Sequence, residues 1–196
     1  MKSFIITLFF PFCCFAQQPK PLSIGDTLPA QQWKEIIKAE HSPLSLGEGS
    51  EVRSLVILDF FATWCSSCYK KFPHLDSLQN QFRDSLILIL VNTVSAREDS
   101  ATIAAFFSKR KKSNGLPYNF SLILADSVFN KLFPHILVPH YIWIYNDRFI
   151  AATGAEWITE ANIRKILSGI PVKWEIKTDS LQFEKRKHLL NKQNQP

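Results

Sequence analysis

Two cysteines, Cys65 and Cys68, lie where an apolar strand ends and an amphipathic helix begins. Residues 54–62 are nearly all apolar and rich in β-branched and aromatic side chains, which is typical of a strand buried on both faces. Apolar residues then recur at helical spacing between Leu75 and Phe82. A cysteine at a helix N-terminus faces unpaired N–H groups and the positive end of the helix dipole, and both favour the nucleophilic thiolate. The spacing therefore predicts a reactive Cys65, with Cys68 one turn further on to close a disulfide.

Other uses of a C-x-x-C pair fit this sequence less well. A structural zinc site needs four ligands, usually a second C-x-x-C or a histidine pair, and the histidines form no such pair near the cysteines. Covalent haem attachment needs a histidine directly after the second cysteine, where this chain has Tyr69. An inert structural disulfide remains an alternative, although a loop this short removes little entropy from the unfolded chain. We expect a redox pair that needs neither a metal nor a cofactor.

The motif resembles the thioredoxin superfamily, and most closely its extracytoplasmic TlpA/ResA-like thiol–disulfide oxidoreductases. The resemblance is carried by residues 58–65, followed by Cys68 and Pro73, and by residues 25–29, which are similar to the G-D-x-x-P segment that opens such domains. It extends over about residues 22–169. It implies an α/β, thioredoxin-like fold: a central mixed β-sheet flanked by helices, with an inserted strand–helix element.

The cysteines and one acid are the expected catalytic residues. Cys65 would attack a substrate disulfide, and Cys68 would resolve the mixed disulfide by attacking Cys65. Asp59 lies within the apolar strand, where the resemblance implies a buried acid of raised pKa that takes the proton from Cys68. The alternative is a structural core carboxylate. On the next strand only Asn92 stands where thioredoxins have a basic partner for this acid.

A second segment, Val138-Pro139, is expected to bind substrate. The resemblance implies that Pro139 is cis and that the Val138 backbone offers strand-like hydrogen bonds to a bound peptide. His140 follows it and could influence the cysteines or be an ordinary structural histidine. Trp64 should border the sulfurs and is a candidate substrate-binding residue, although Trp64 and Phe61 are expected more to pack the corner than to contact substrate.

The N-terminus has the pattern of a secretory signal peptide. Residues 1–16 carry a single lysine, then an almost wholly apolar run that ends at Ala16, after which cleavage is expected. An uncleaved membrane anchor, or a lipoprotein signal ending at Cys13 or Cys14, is the alternative. Cleavage would leave only the two motif cysteines in the mature chain. We therefore expect a periplasmic or otherwise extracytoplasmic protein that is membrane-bound only if the leader is retained or lipidated.

The remaining chain predicts one domain over residues 17–171 and a polar, basic tail over 172–196 that could form a frayed surface helix. The net charge of +6 is modest, and the basic runs at 109–112 and 185–187 indicate solvated faces rather than nucleic-acid sites.

Residues 31–39 could form a helix or a strand. The other predicted elements are a helix over 66–82 kinked at Pro73, strands 86–93 and 121–125, helix 98–111, a helical turn 128–133, a hairpin of 141–145 and 148–153, and a helix from 159 to about 168.

These features predict an exported enzyme, a thiol–disulfide oxidoreductase that reduces disulfides in other exported proteins. Its partners would be protein or peptide disulfides and thiols, together with an upstream thiol–disulfide electron donor. A disulfide oxidase or isomerase of the same fold is the nearest alternative. A non-catalytic binding module of thioredoxin fold is the alternative from another class.

Overall fold

A mixed sheet organises the computed structural model, which describes residues 19–39 and 55–177. In that part of the chain the strands lie in the spatial order β3-β2-β1-β4-β5. Strands β1, β2 and β3 are parallel, whereas β4 is antiparallel to both β1 and β5. This arrangement confirms the predicted mixed sheet. The strands are β1 Leu55–Phe60, β2 Leu86–Thr93, β3 Ser121–Asp126, β4 His140–Tyr145 and β5 Arg148–Thr153.

Helices cover both faces of the sheet. The apolar residues of α2, α3, α4 and α6 pack with one face of the sheet, and those of α1 and α5 pack with the other. Strands β1 and β2 are buried along their whole length, which explains why their sequences are continuous apolar runs rather than alternating ones. The helices are α1 Ala30–Lys38, α2 Ser66–Lys70, α3 Phe72–Gln81, α4 Ser100–Lys109, α5 Phe129–Leu132 and α6 Glu160–Leu167.

The helix that follows the cysteines is divided in two. It stops at Lys70 and restarts at Phe72, so that Pro73 falls in the first turn of α3. Proline has no N–H to donate to the carbonyl of Tyr69, and its ring would clash with that carbonyl in a continuous helix. The predicted kink at Pro73 is confirmed, in the form of a break just before it.

The hairpin and the last helix also form where the sequence predicts them. Asn146 and Asp147 join β4 to β5 with φ angles of 48° and 61°, the left-handed conformation that a two-residue hairpin turn requires. The Thr159 hydroxyl accepts a hydrogen bond from the Asn162 N–H at 3.2 Å and caps α6. Residues 31–39, which the sequence left undecided, lie mostly in helix α1.

The chain remains packed against the domain after α6. Residues 172–177 are not helical, so the frayed-helix interpretation is wrong for them. The Trp174 ring lies 5.0 Å from Trp143 and 5.6 Å from Trp157, centroid to centroid. The predicted leader at 1–16 and residues 178–196 of the predicted tail lie outside the described residues. The same is true of residues 41–50, whose serine, glycine and proline content predicts a loop. Within the described ranges, no helix has both the length and the apolar character needed to cross a membrane.

Candidate active site

The two motif cysteines form a disulfide at the start of α2. Cys65 is the N-cap residue, and its Sγ accepts a hydrogen bond from the Cys68 N–H at 3.2 Å. The Ser67 Oγ lies 3.4 Å from the same sulfur. A thiolate at Cys65 can only accept hydrogen bonds, so the Cys68 amide and the Ser67 hydroxyl are both placed to stabilise it.

The corner that carries the cysteine pair is largely closed to solvent. Cys65 is only 5% exposed and Cys68 is fully buried, so Cys65 is the sulfur that a substrate can approach first. Trp64 is 67% exposed, and the expectation that it packs the corner is wrong. Phe61, which is also expected to pack this corner, is buried, and its ring centroid lies 6.4 Å from that of Phe72 and 6.0 Å from that of Phe107. Trp64 therefore offers an exposed apolar surface beside the disulfide.

A carboxylate from a distant segment fixes the turn before the cysteines. The Thr63 N–H donates to both carboxylate oxygens of Glu98, at 3.0 and 3.1 Å, and the Thr63 hydroxyl forms a further hydrogen bond with that carboxylate. Asn92 donates to Glu98 at 2.7 Å and to the Phe61 carbonyl at 3.3 Å. Asn92 thus belongs to this corner and does not replace the basic partner of Asp59. Nothing in the local sequence pattern indicated Glu98.

Asp59 is fully buried in the middle of the sheet. Tyr141, on the adjacent strand β4, pairs with Asp59 and is also fully buried. Its hydroxyl interacts electrostatically with the Asp59 carboxyl, although the two groups do not meet hydrogen-bond geometry. Burial raises the pKa of Asp59 well above its ordinary value, and the Tyr141 hydroxyl offsets this only in part. Burial and the nearby carboxyl likewise raise the pKa of Tyr141. The carboxyl is therefore suited to hold a proton at a pH where an exposed aspartate could not.

Asp59 and the cysteines share one face of the sheet. Alternate residues of a strand point to opposite faces, and Ile57 and Phe61 on either side of Asp59 belong to the apolar cluster that contains Cys65 and Cys68. The Asp59 side chain is thus directed toward the layer in which the buried Cys68 lies.

The Val138–Pro139 segment, which is expected to bind substrate, lies at the same end of the sheet as the two cysteines. The Val138–Pro139 peptide bond is cis, and β4 begins directly after it. His140, the first residue of β4, pairs with Phe60, the last residue of β1. The residues that precede β4 and those that follow β1 therefore leave the sheet at the same end of these two central strands, where Pro139 and Cys65 both lie.

His140 points to the other face of the sheet. Its ring is buried and stacks on His135 at 4.6 Å between centroids, and within the described chain neither ring nitrogen has a hydrogen-bond partner. Burial, then the neighbouring His135, then the Lys177 ammonium lower the pKa of His140 well below its usual value. His140 is therefore a neutral core residue that does not face the sulfurs. Among the described residues, no three histidine, cysteine or acidic side chains cluster as metal ligands.

This fold and this site define a class of protein: a thioredoxin-like domain with a C-x-x-C pair at the start of the helix that follows a central strand. Residues 49–105 of the chain match the thioredoxin family. The likeness predicted from the motif is confirmed.

Known proteins with similar sequences carry thioredoxin names. The chain is 33% identical over 70 residues to the thioredoxin-like protein YneN of Bacillus subtilis, an alignment covering 36% of this chain and 39% of that protein. It is 33% identical over 55 residues to thioredoxin of Porphyra purpurea, covering 28% and 48% of the two chains. The chain thus matches less than half the length of these curated relatives.

Solved structures show the same fold. The Chlorobium tepidum protein whose structure carries the name thiol:disulfide interchange protein DsbE superposes with a TM-score of 0.52 at 18% identity. The superposition covers 76% of this chain and 99% of that one. At this identity the likeness is one of fold.

Proposed function

We propose that this protein is an exported thiol–disulfide oxidoreductase that reduces disulfides in other exported proteins. The observation that carries the proposal is the Cys65–Cys68 pair at the start of α2, with the buried Asp59 directed toward the same layer. Export is inferred from the signal-peptide pattern of residues 1–16. Sequencing the N-terminus of the protein recovered from the extracytoplasmic fraction tests this part, because cleavage after Ala16 is expected.

The reaction would proceed in two exchange steps. The Cys65 thiolate attacks one sulfur of the substrate disulfide, forms a mixed disulfide and releases the other substrate sulfur as a thiolate. The ionised Asp59 carboxylate, whose raised pKa favours uptake of a proton, then accepts the proton of Cys68. The Cys68 thiolate attacks the Cys65 sulfur and releases the second substrate sulfur as a thiolate, which takes up a proton from water. The dithiol is oxidised to the Cys65–Cys68 disulfide and the substrate disulfide is reduced to two thiols. An upstream dithiol donor must return the pair to its reduced form.

Residues at the end of the central strands β1 and β4 would hold the substrate. The backbone of Val138, next to Pro139, would pair with an extended segment of the partner, and the exposed Trp64 would cover apolar side chains near its disulfide. No cofactor is required for this chemistry, since electrons move only between sulfur atoms.

Insulin reduction tests the proposal. The full-length chain with dithiothreitol should precipitate insulin faster than dithiothreitol alone, and Cys65→Ser should abolish the gain. An inactive wild-type chain whose pair is readily reduced would contradict the proposal and favour a binding module. The equilibrium potential of the pair against glutathione separates a reductant from an oxidase or isomerase, because only a potential well below that of glutathione suits a reductant.

A further inference from the structure

The end of the described chain reaches back to the segment before β4. The Lys177 Nζ donates hydrogen bonds to the carbonyls of Leu137, at 2.6 Å, and Pro139, at 2.8 Å. The Lys177 N–H also donates to the Ala152 carbonyl on β5, at 3.2 Å. One ammonium therefore holds the two carbonyls that lie on either side of Val138.

Aromatic packing anchors the segment that presents this ammonium. Trp174 packs against Trp143 of β4 and against Trp157, with centroids 5.0 and 5.6 Å away. The backbone contact of Lys177 with β5 fixes the segment at a second point. The Lys177 side chain thus extends from a position that is fixed to the sheet, whereas Leu137 is 61% exposed on the loop that it contacts.

Holding the Leu137 carbonyl sets the direction of the next N–H. The Leu137–Val138 peptide is planar and trans, so the Val138 N–H points opposite to the carbonyl that Lys177 binds. Within the described residues, neither the N–H nor the carbonyl of Val138 has a hydrogen-bond partner. The contacts of Lys177 therefore leave the Val138 backbone available and fix its orientation.

We propose that Lys177 is a positioning residue for substrate: it fixes the backbone of Val138 so that an extended polypeptide segment beside the partner's disulfide can pair with it. This inference rests on the proposed function. Lys177 does not touch the reacting sulfurs, so it acts on the affinity for polypeptide substrates and not on sulfur exchange itself. A small disulfide that has no peptide backbone gains nothing from an oriented Val138.

Steady-state kinetics of three full-length variants test this role. Lys177→Met keeps the alkyl chain and removes the donors, Lys177→Arg keeps donors, and Lys173→Met is the control, since Lys173 is exposed on the same segment. We expect Lys177→Met to raise KM for insulin about five- to tenfold with kcat little changed. Lys177→Arg should recover part of this affinity, and Lys173→Met should behave as wild type.

A small disulfide separates this inference from the function on which it rests. The rate of the reduced protein with hydroxyethyl disulfide, and the potential of the pair, should be unchanged in Lys177→Met. Unchanged KM for insulin, an equal loss with both substrates, or loss of cooperative unfolding in Lys177→Met would each overturn the role of Lys177. A wild-type chain that reduces neither substrate would instead contradict the proposed function.

Discussion

Asp59 and Tyr141 face each other across β1 and β4, two fully buried polar side chains in the middle of an apolar sheet. Neither the carboxylate oxygens nor the hydroxyl has a hydrogen-bond partner within the described residues. An unpaired carboxylate in such a place is costly, so the protonated form is favoured. The pair thus provides a buried proton site in the layer that contains Cys68.

Removing the Asp59 carboxyl should slow the second exchange step. In Asp59→Ala or Asp59→Asn, Cys68 has no buried base, and we expect insulin reduction at neutral pH to fall about 100-fold. The difference in rate between these variants and the wild type should narrow above about pH 9, where a cysteine ionises without a nearby base. Alkylation of Cys65 in the reduced variants is the control and should proceed at the wild-type rate. Unchanged turnover would remove Asp59 from the mechanism.

Asp59→Asn should stabilise the fold at neutral pH. The pKa of Asp59 is raised in the folded protein. The contribution of this carboxyl to the free energy of unfolding is therefore fully present below the pKa of aspartate in the unfolded chain, and it is lost as the pH rises through the pKa of Asp59 in the folded protein. Asp59→Asn cannot ionise and avoids this loss. We expect it to be more stable than wild type by at least about 1.4 kcal/mol at neutral pH. Urea denaturation measures this difference.

The pH dependence distinguishes this linkage from a simple packing effect. Near the unfolded pKa of aspartate, at about pH 4, the two proteins should have nearly equal free energies of unfolding. A stability difference that does not vary with pH would contradict a raised pKa at Asp59.

Glu98 should stabilise the corner before the cysteines. Glu98→Ala leaves the Thr63 N–H and the Asn92 amide without their acceptor, and the expected loss is about 2–3 kcal/mol of unfolding free energy. Thr63→Val removes only the hydroxyl and should cost about 1 kcal/mol. Thermal and urea unfolding measure both. A change within about 0.5 kcal/mol for Glu98→Ala would show that the carboxylate is an ordinary surface group.

Ser67 and Ser66 form a matched pair for testing thiolate stabilisation. The Ser67 hydroxyl lies 3.4 Å from the Cys65 sulfur, whereas Ser66 is exposed and makes no such contact. Ser67→Ala should move the pH of half-maximal Cys65 alkylation up by about 0.5–1 unit, equivalent to about 0.7–1.4 kcal/mol. Ser66→Ala should leave it unchanged. Equal behaviour of the two variants would mean that the hydroxyl is not a donor to the thiolate.

Local patterns in the sequence predicted most of the sheet and the position of the cysteines. The apolar runs of β1 and β2 are strong signals because both strands are buried throughout, and the break before Pro73 follows from the chemistry of proline. The asparagine–aspartate turn of the hairpin is equally local. These features need no knowledge of distant contacts.

The missed features all depend on contacts between distant residues. Thr63 and Glu98 are 35 positions apart, and only the fold brings them together. Tyr141 faces Asp59 because of the register between β1 and β4, which the composition of either strand alone does not determine. Lys177 reaches the segment before β4 only because Trp174 anchors the chain on the sheet.

Mapping the first alkylation of the reduced protein tests the central claim most directly. Protein that begins at Gln17, the expected product of cleavage after Ala16, would be reduced with excess dithiothreitol, desalted and treated with less than one equivalent of iodoacetamide. It would then be digested and sequenced by fragmentation mass spectrometry, with Cys65 and Cys68 as its only cysteines. Cys65 is the more accessible sulfur and accepts the Cys68 N–H, so the adduct should form on Cys65. An adduct mainly on Cys68, or sulfurs that do not react while the fold is intact, would contradict Cys65 as the attacking nucleophile.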